Sequence, residues 1–133
     1  MEIIRVETRK TESGRADYFT GHVLLDPIAS PPLPSRVRAL RVTFAPGART
    51  AWHTHPFGQV LHILAGIGAV QRAGEPIQTV KPGDTVVIGP GERHWHGADP
   101  THLMVHLAIQ EADDAGVQTT WFEHVTDAEY GVR

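Results

Sequence analysis

Short runs of alternating apolar and polar residues, separated by glycine and proline turns, dominate the pattern from Arg36 onward. A period of two is typical of β-strands with one buried face. We predict strands at residues 37–44, 50–55, 59–65, 67–72, 75–80, 85–88, 93–97 and 101–110. Many short strands between turns indicate an all-β barrel or jelly roll.

The two ends of the chain carry weaker patterns. Residues 3–6 predict an edge strand, and residues 18–25 predict a second extended segment. Residues 26–34 contain four prolines, which cannot donate to a sheet ladder, so we predict an exposed loop there. Residues 126–129, Thr-Asp-Ala-Glu, form a capping-box pattern. This pattern predicts a short C-terminal helix.

Composition narrows the class of protein. A chain of 133 residues with 41% hydrophobic residues is expected to form a single domain, residues 1–133. Twelve basic and fifteen acidic residues give a net charge of -3 without a basic stripe, which argues against nucleic-acid binding. We see neither a signal-peptide pattern nor a run of about 20 apolar residues, so we expect a cytoplasmic protein without a membrane partner. Because cysteine is absent, any bound metal must use nitrogen and oxygen ligands.

Four residues have spacings that suit a metal site. His53 and His55 share one face of a predicted strand with Gln59, and His94 begins a later strand. A lone histidine is more often a surface or hydrogen-bonded residue, but two histidines one residue apart plus a distant third fit a metal polyhedron. We therefore predict these four as ligands of one divalent transition metal per subunit. Three nitrogens and one oxygen suit manganese, iron, nickel, cobalt or zinc alike.

The same alternation predicts a pocket beside the metal. The inward-facing positions that we expect to line it are Leu40, Val42, Phe44, Phe57, His96, His102, Met104, His106, Ala108 and Gln110. His96 and His106 are acid/base candidates because a neutral imidazole titrates near working pH. The alternative is that each orients a ligand or hydrogen-bonds a carbonyl. Trp52 and Trp95 have the opposite parity, and we expect them outside the barrel or at a subunit contact.

Two stretches resemble conserved motifs of the cupin family. Residues 47–66 resemble the first motif, in which a glycine precedes H-x-H, an acidic residue and a closing glycine, with Gln59 in place of the usual glutamate. Residues 83–98 resemble the second motif, with its glycines and His94 in register. The resemblance implies a single cupin domain, a double-stranded β-helix or jelly-roll barrel with a short C-terminal helix.

Longer segments resemble the small bacterial manganese-dependent cupin hydroxynitrile lyases, which are also called mandelonitrile lyases. The segments are residues 44–56, 90–98, 106–111 and 123–127, and Gln59 agrees with that branch. The resemblance implies Mn²⁺ at the site and reversible cleavage of an aromatic cyanohydrin to an aldehyde and cyanide, with His106 handling the proton. It also implies a homodimer or homotetramer.

The resemblance gives the remaining pocket residues provisional roles. Thr50 and Gln110 would position cyanide or the hydroxyl group, and the apolar side chains of residues 40, 42 and 44 would contact an aromatic ring. Two other functions remain open. Iron with free coordination positions would suit an oxygenase, and a cupin without turnover would bind a small molecule or metal.

Overall fold

Short β-strands build almost the whole molecule. The computed structural model describes residues 1–131. Within them lie thirteen strands and one α-helix, preceded by a 3₁₀ turn at Val6–Thr8. The strands are β1 (Glu12–Ser13), β2 (Phe19–Thr20), β3 (Val23–Ala29), β4 (Val37–Phe44), β5 (Arg49–Thr50), β6 (His53–Thr54), β7 (Gln59–Gly66), β8 (Gly68–Arg72), β9 (Gln78–Val80), β10 (Thr85–Ile88), β11 (His94–Ala98), β12 (Met104–Glu111) and β13 (Thr120–Trp121), and the helix is α1 (Asp127–Gly131).

The strands form two antiparallel sheets. The first has six strands in the order β1-β3-β4-β12-β7-β10. The second has the order β13-β6-β11-β5-β2, with β8 beside β11 and β9 beside β8. Apolar side chains fill the space between the sheets, led by Val42, Phe44, Ile63 and Met104. Two antiparallel sheets packed over one interior confirm the predicted all-β jelly-roll architecture.

Two ladders bring distant parts of the chain to one place. In the second sheet, His94 of β11 pairs with His53 of β6. In the first sheet, β12 lies between β4 and β7, so that Gln110 pairs with Gln59 and His106 pairs with Val42. A Cβ at Gly97 would lie 2.4 Å from the carbonyl oxygen of Ala48, so only glycine permits β11 to approach β5 this closely.

Most predicted strands are confirmed, and β4 and β10 have the predicted bounds. The predicted strand at residues 50–55 is instead two short strands, β5 and β6, with a break between them. The predicted edge strand at residues 3–6 is wrong, because this segment makes no ladder and ends in the 3₁₀ turn. Its apolar side chains are exposed, so no buried sheet face holds an extended conformation there.

The predicted proline loop begins too early. Residues 26–29 belong to β3, with Pro27 opposite Leu40 of β4. On the other side of β3, the pairing recorded with β1 is confined to Leu24 and Leu25. Among residues 1–131, Pro27 therefore lies beyond the β1 ladder at an edge of β3, and an edge tolerates a residue that cannot donate a ladder hydrogen bond.

The C-terminal segment closes one side of the second sheet. The capping box is confirmed, since the backbone N–H of Thr126 donates to Glu129 Oε1 at 3.0 Å and that of Glu129 donates to Thr126 Oγ1 at 3.1 Å. Trp52 and Trp95 lie outside the barrel interior, as predicted, and pack against Val125 and Tyr130. The chain's own C-terminal segment covers them. No helix within residues 1–131 combines the length and apolar character needed to cross a membrane.

Candidate metal centre and substrate cavity

A cavity of about 510 Å³ lies between the two sheets. Its wall combines apolar side chains with polar ones, and the histidines and glutamines among the polar ones contact one another. The apolar lining residues are Tyr18, Phe19, Leu25, Leu40, Val42, Phe44, Ala108, Val117 and Trp121, and the polar or charged ones are Arg15, Thr50, His53, His55, Gln59, His96, His106, Gln110, Gln118 and Thr119. Among these lining residues there is no carboxylate. No carboxylate on the cavity wall would therefore offset the positive charge of a cation bound beside the histidines.

The structure brings the predicted site residues together. The predicted pocket residues of β4, together with Thr50 and Gln110, lie on the cavity wall. His94 does not line the cavity but sits directly behind it, with Nε2 3.3 Å from Gln59 Oε1. Three predicted positions are exceptions: Phe57 and His102 are exposed, and Met104 is buried in the apolar core and does not line the cavity. Phe57 lies in a turn that the backbone N–H of Gly58 closes on the carbonyl oxygen of His55 at 3.3 Å, so strand alternation does not apply to it.

Three of the buried histidines are held in the same way. The Nδ1 atom of His53 lies 2.8 Å from the carbonyl oxygen of Ala51, and that of His94 lies 2.9 Å from the carbonyl oxygen of Glu92. Nδ1 of His55 lies 2.7 Å from the carbonyl oxygen of Gln118. A carbonyl can only accept, so each Nδ1 carries the proton and each Nε2 offers a lone pair. Metal-binding histidines are usually held by such a contact.

Gln59 adds an oxygen to this set of nitrogens. Its Nε2 donates to Gln110 Oε1 at 3.1 Å, which turns Oε1 toward His94. Because Nε2 of His94 is then an acceptor, two acceptors face each other at 3.3 Å without a proton to share. Nε2 of His55 is buried and has no hydrogen-bond partner among the described residues. A divalent cation would satisfy all of these atoms, so the residues present fit a metal with three nitrogen ligands and one oxygen ligand.

The other two buried histidines are bonded to each other. Nε2 of His106 lies 3.0 Å from Nδ1 of His96, and we call this pair the dyad. The remaining ring nitrogens, His96 Nε2 and His106 Nδ1, are buried without a hydrogen-bond partner among the described residues. The backbone N–H of His96 donates to Thr50 Oγ1 at 3.2 Å. Ligand atoms of His53, His94 and His96 lie within 4.8 Å of one another, a group that includes His96 of the dyad and not the predicted ligand His55. The dyad therefore directly adjoins the candidate metal site.

Burial keeps all five imidazoles neutral. It lowers the pKa of His94 and of His106 to about 4, and it lowers the pKa of His55. The pKa values of His53 and His96 fall well below the ordinary histidine value, first through burial and then through repulsion from neighbouring imidazoles. At neutral pH each ring therefore keeps a lone pair that can bind a metal or accept a proton.

Sequence reasoning missed the residues that close the cavity from the C-terminal side. Gln118 and Thr119 lie beside His55, and Trp121 stacks on Tyr18 with ring centroids 4.6 Å apart. Strand β13 pairs with β6 and holds this segment over the site. A two-residue strand after a polar loop has no periodicity to read, so only the three-dimensional pairing reveals these contacts.

Comparisons with known proteins agree with this geometry. The chain is 54% identical over 130 residues to a protein of Granulicella tundricola named (R)-mandelonitrile lyase, and the match covers 98% of each chain. A cupin-like protein from Thermotoga maritima has a crystal structure that superposes with a TM-score of 0.83 at 38% identity, covering 89% of each chain. A polyketide cyclase from Streptomyces resistomycificus shares the fold at a TM-score of 0.73 and 18% identity, covering 98% of this chain and 90% of that one.

The family profile described as "Cupin domain" matches residues 40–109. This span begins in β4 and ends in β12, and it contains both histidine motifs. The jelly-roll topology, the profile and the near full-length similarity agree with the resemblance read from the two motifs, and the chain belongs to the cupin family.

Proposed function

We propose that the protein is a metal-dependent hydroxynitrile lyase, which reversibly cleaves aromatic cyanohydrins of the mandelonitrile type to an aldehyde and cyanide. One observation carries the proposal. A neutral histidine dyad lies beside further buried histidines and the amide oxygen of Gln59, in a cavity that is also lined by apolar side chains. The (R)-mandelonitrile lyase name of the Granulicella tundricola relative supports this assignment.

His53, His55, Gln59 and His94 are the proposed ligands of one divalent metal per subunit, and manganese is the proposed metal. The bound ion would supply a Lewis acid that stabilises negative charge on the substrate oxygen. Metal analysis of protein purified without added metal tests the choice. We expect manganese, whereas iron would favour oxygen chemistry and an empty site would contradict a resident metal.

The dyad is the proposed proton acceptor. In the cleavage direction, the cyanohydrin hydroxyl gives its proton to His106, and His96 shares it through their 3.0 Å hydrogen bond. The oxygen electron pair then closes to the carbonyl, and the C–CN bond breaks with its electrons on cyanide. Return of the proton to cyanide releases HCN and restores the neutral dyad. Synthesis follows the same steps in reverse.

The cavity wall is the proposed determinant of substrate orientation. Leu40, Val42 and Phe44 would contact the aromatic ring of the substrate, which leaves its polar carbon facing the histidines. Thr50 Oγ1 already accepts the backbone N–H of His96, so its own hydroxyl proton can be donated into the cavity. We propose that Thr50 and Gln110 orient cyanide or the substrate hydroxyl.

Self-association is a further part of the proposal. The outer face of the first sheet carries a row of exposed apolar side chains, in which Val60 is paired with Val87 on one side and with Ile109 on the other. A contiguous apolar row favours burial against another subunit. We propose a homodimer or homotetramer, and light scattering coupled to size-exclusion chromatography measures its mass.

The lyase activity is tested with racemic mandelonitrile at mildly acidic pH, where spontaneous decay is slow. The manganese-loaded protein should release benzaldehyde much faster than the His106→Ala variant. His62→Asn is the matched control, because His62 contacts Thr85 on the outer face and should not affect turnover. Equal benzaldehyde release by the wild type and His106→Ala would contradict the proposal.

A further inference from the structure

Three glutamine side chains form a hydrogen-bonded chain that ends at the candidate metal site. Gln59 Nε2 donates to Gln110 Oε1 at 3.1 Å, and Gln110 Nε2 donates to Gln118 Oε1 at 2.8 Å. Both hydrogen bonds run in the same direction, from the site toward the loop that carries Gln118. We call this series the amide chain.

The direction of the amide chain matters because a glutamine side chain has two unlike ends. Its oxygen can bind a cation, whereas its NH₂ group can only donate and would repel one. A carboxylate offers oxygen in either orientation and needs no such control. Gln59 therefore requires a partner that accepts from its Nε2, and Gln110 provides that acceptor only while its own Nε2 has an acceptor in turn.

Gln118 supplies the acceptor at the end of the chain, and it supports a second candidate ligand as well. Its backbone carbonyl oxygen lies 2.7 Å from Nδ1 of His55 and holds that imidazole with Nε2 facing inward. One residue thus orients Gln59 through its side chain and His55 through its backbone. A side-chain substitution removes the first contact and leaves the second available.

Hydrogen bonds within the loop before Gln118 hold this residue in position. Asp113 Oδ1 accepts the backbone N–H groups of Ala115 and Val117 at 2.9 and 2.8 Å. The backbone N–H of Asp113 also donates to the carbonyl oxygen of Val117 at 2.8 Å. After the loop, β13 pairs with β6 through Thr120 and Thr54. Gln118 is therefore held between two anchored segments.

We infer that Gln118 is a positioning residue, which acts through Gln110 to keep the oxygen of Gln59 turned toward the metal. The inference rests on the proposal that Gln59 is a metal ligand. It explains how an amide can take the place of a carboxylate at residue 59, although only the amide needs to be oriented. Outer contacts of this kind typically change metal affinity about 10- to 100-fold.

Three substitutions of Gln118 test the polarity of the chain, with the Kd for Mn²⁺ measured from the EPR signal of the free ion. Gln118→Glu keeps an acceptor and should stay within about threefold of the wild type. Gln118→Leu removes the acceptor and should weaken binding about 10-fold or more. Gln118→Lys presents only donors, favours reversed amides at residues 110 and 59, and should weaken binding most. A space-filling role would instead make the two charged variants equally poor.

A second measurement separates orientation from folding. In a Gln59→Glu background the ligand at residue 59 is oxygen in either orientation, so Gln118→Leu should change the Kd for Mn²⁺ by less than about threefold. An equal loss in both backgrounds would overturn the inference, as would an unchanged Kd for Gln118→Leu in the wild-type background. Melting temperatures of all variants show whether they fold. Wild-type protein that binds Mn²⁺ tightly but releases no benzaldehyde would contradict the proposed lyase activity and leave this inference standing.

Discussion

Five buried histidines cluster at the candidate site, but they fall into two groups with different hydrogen-bond partners. His53, His55 and His94, the carbonyl-held group, each place Nδ1 against a backbone carbonyl. His96 and His106 instead bond to each other. Burial lowers the pKa values in both groups. The two groups therefore differ in what the hydrogen-bonded ring nitrogen contacts, which is a backbone carbonyl in one group and another imidazole in the other.

That partner determines what each imidazole can do. A carbonyl fixes one tautomer permanently, which leaves a lone pair in a set direction and suits a metal ligand. An imidazole partner can either donate or accept, so the dyad can take up a proton and redistribute it. The two arrangements thus suit one residue type to two different tasks, and the proposed lyase chemistry would use both.

The largest effect should come from breaking the carbonyl-held group. His94→Ala removes a proposed ligand and leaves Gln59 Oε1 without its neighbour, so the affinity for Mn²⁺ should fall by more than about 100-fold, with loss of benzaldehyde release. Metal content after dialysis and turnover of mandelonitrile measure the two losses. His102→Ala is the control, since His102 is exposed and paired with Asp99. A His94→Ala protein that keeps its metal would remove His94 from the ligand set.

Breaking the dyad should lower turnover without lowering metal affinity. His106→Asn keeps a polar side chain but removes the proposed base, so kcat should fall about 10²- to 10⁴-fold while the Kd for Mn²⁺ stays near the wild-type value. Turnover and Mn²⁺ binding are measured on the same preparation. If metal affinity and kcat fell together, the two groups would not have separate roles.

The inward-facing histidines could be predicted from the sequence, but the hydrogen-bond partners that separate the two groups could not. Alternation in β4 and β12 placed Val42, His106 and Gln110 on the inner face, because a buried sheet face imposes a period of two. The H-x-H spacing and the second motif predicted that the carbonyl-held histidines lie together at one metal site. Their assignment as metal ligands stays a prediction.

Contacts made by irregular segments were beyond prediction. Gln118 reaches His55 across 63 positions of sequence from a loop without periodicity. Phe57 was assigned inward because the strand pattern was extended through Gly58, where the chain turns. The dyad's hydrogen bond was also unpredictable, since shared parity brings His96 and His106 to one interior without specifying which nitrogens meet.

In metal-free protein, acid should destabilise the fold through both groups of histidines alike. The pKa values of His94 and His106 are about 4 when folded and ordinary when unfolded, so the unfolded chain binds more protons between about pH 6.5 and 4. Stability should therefore be highest above pH 6.5 and fall as the pH drops toward 4, by about 3 kcal/mol for each such histidine. Urea unfolding at several pH values measures the decline.

Substitution shows whether the decline comes equally from both groups. His94→Asn and His106→Asn should each flatten the pH dependence of the free energy of unfolding by a similar amount, because the two pKa values are alike. His124→Asn, at an exposed position, serves as the control substitution. A slope changed by only one of the buried substitutions would mean that the groups differ in burial as well as in partner.

The smallest effect is expected from removing the hydrogen bond between Thr50 and the backbone of His96 in the dyad. Thr50 Oγ1 accepts the buried backbone N–H of His96, and Thr50→Val removes that acceptor at nearly constant volume. An unpaired buried N–H costs about 1–3 kcal/mol, so the melting temperature should fall. Thr50→Val also removes the hydroxyl that we propose orients the substrate, so kcat should fall about fivefold, while the carbonyl-held group keeps its affinity for Mn²⁺. Thr50→Ser retains the hydroxyl and should restore both quantities, whereas a serine variant as impaired as valine would show that the methyl group, not the hydrogen bond, supports the site.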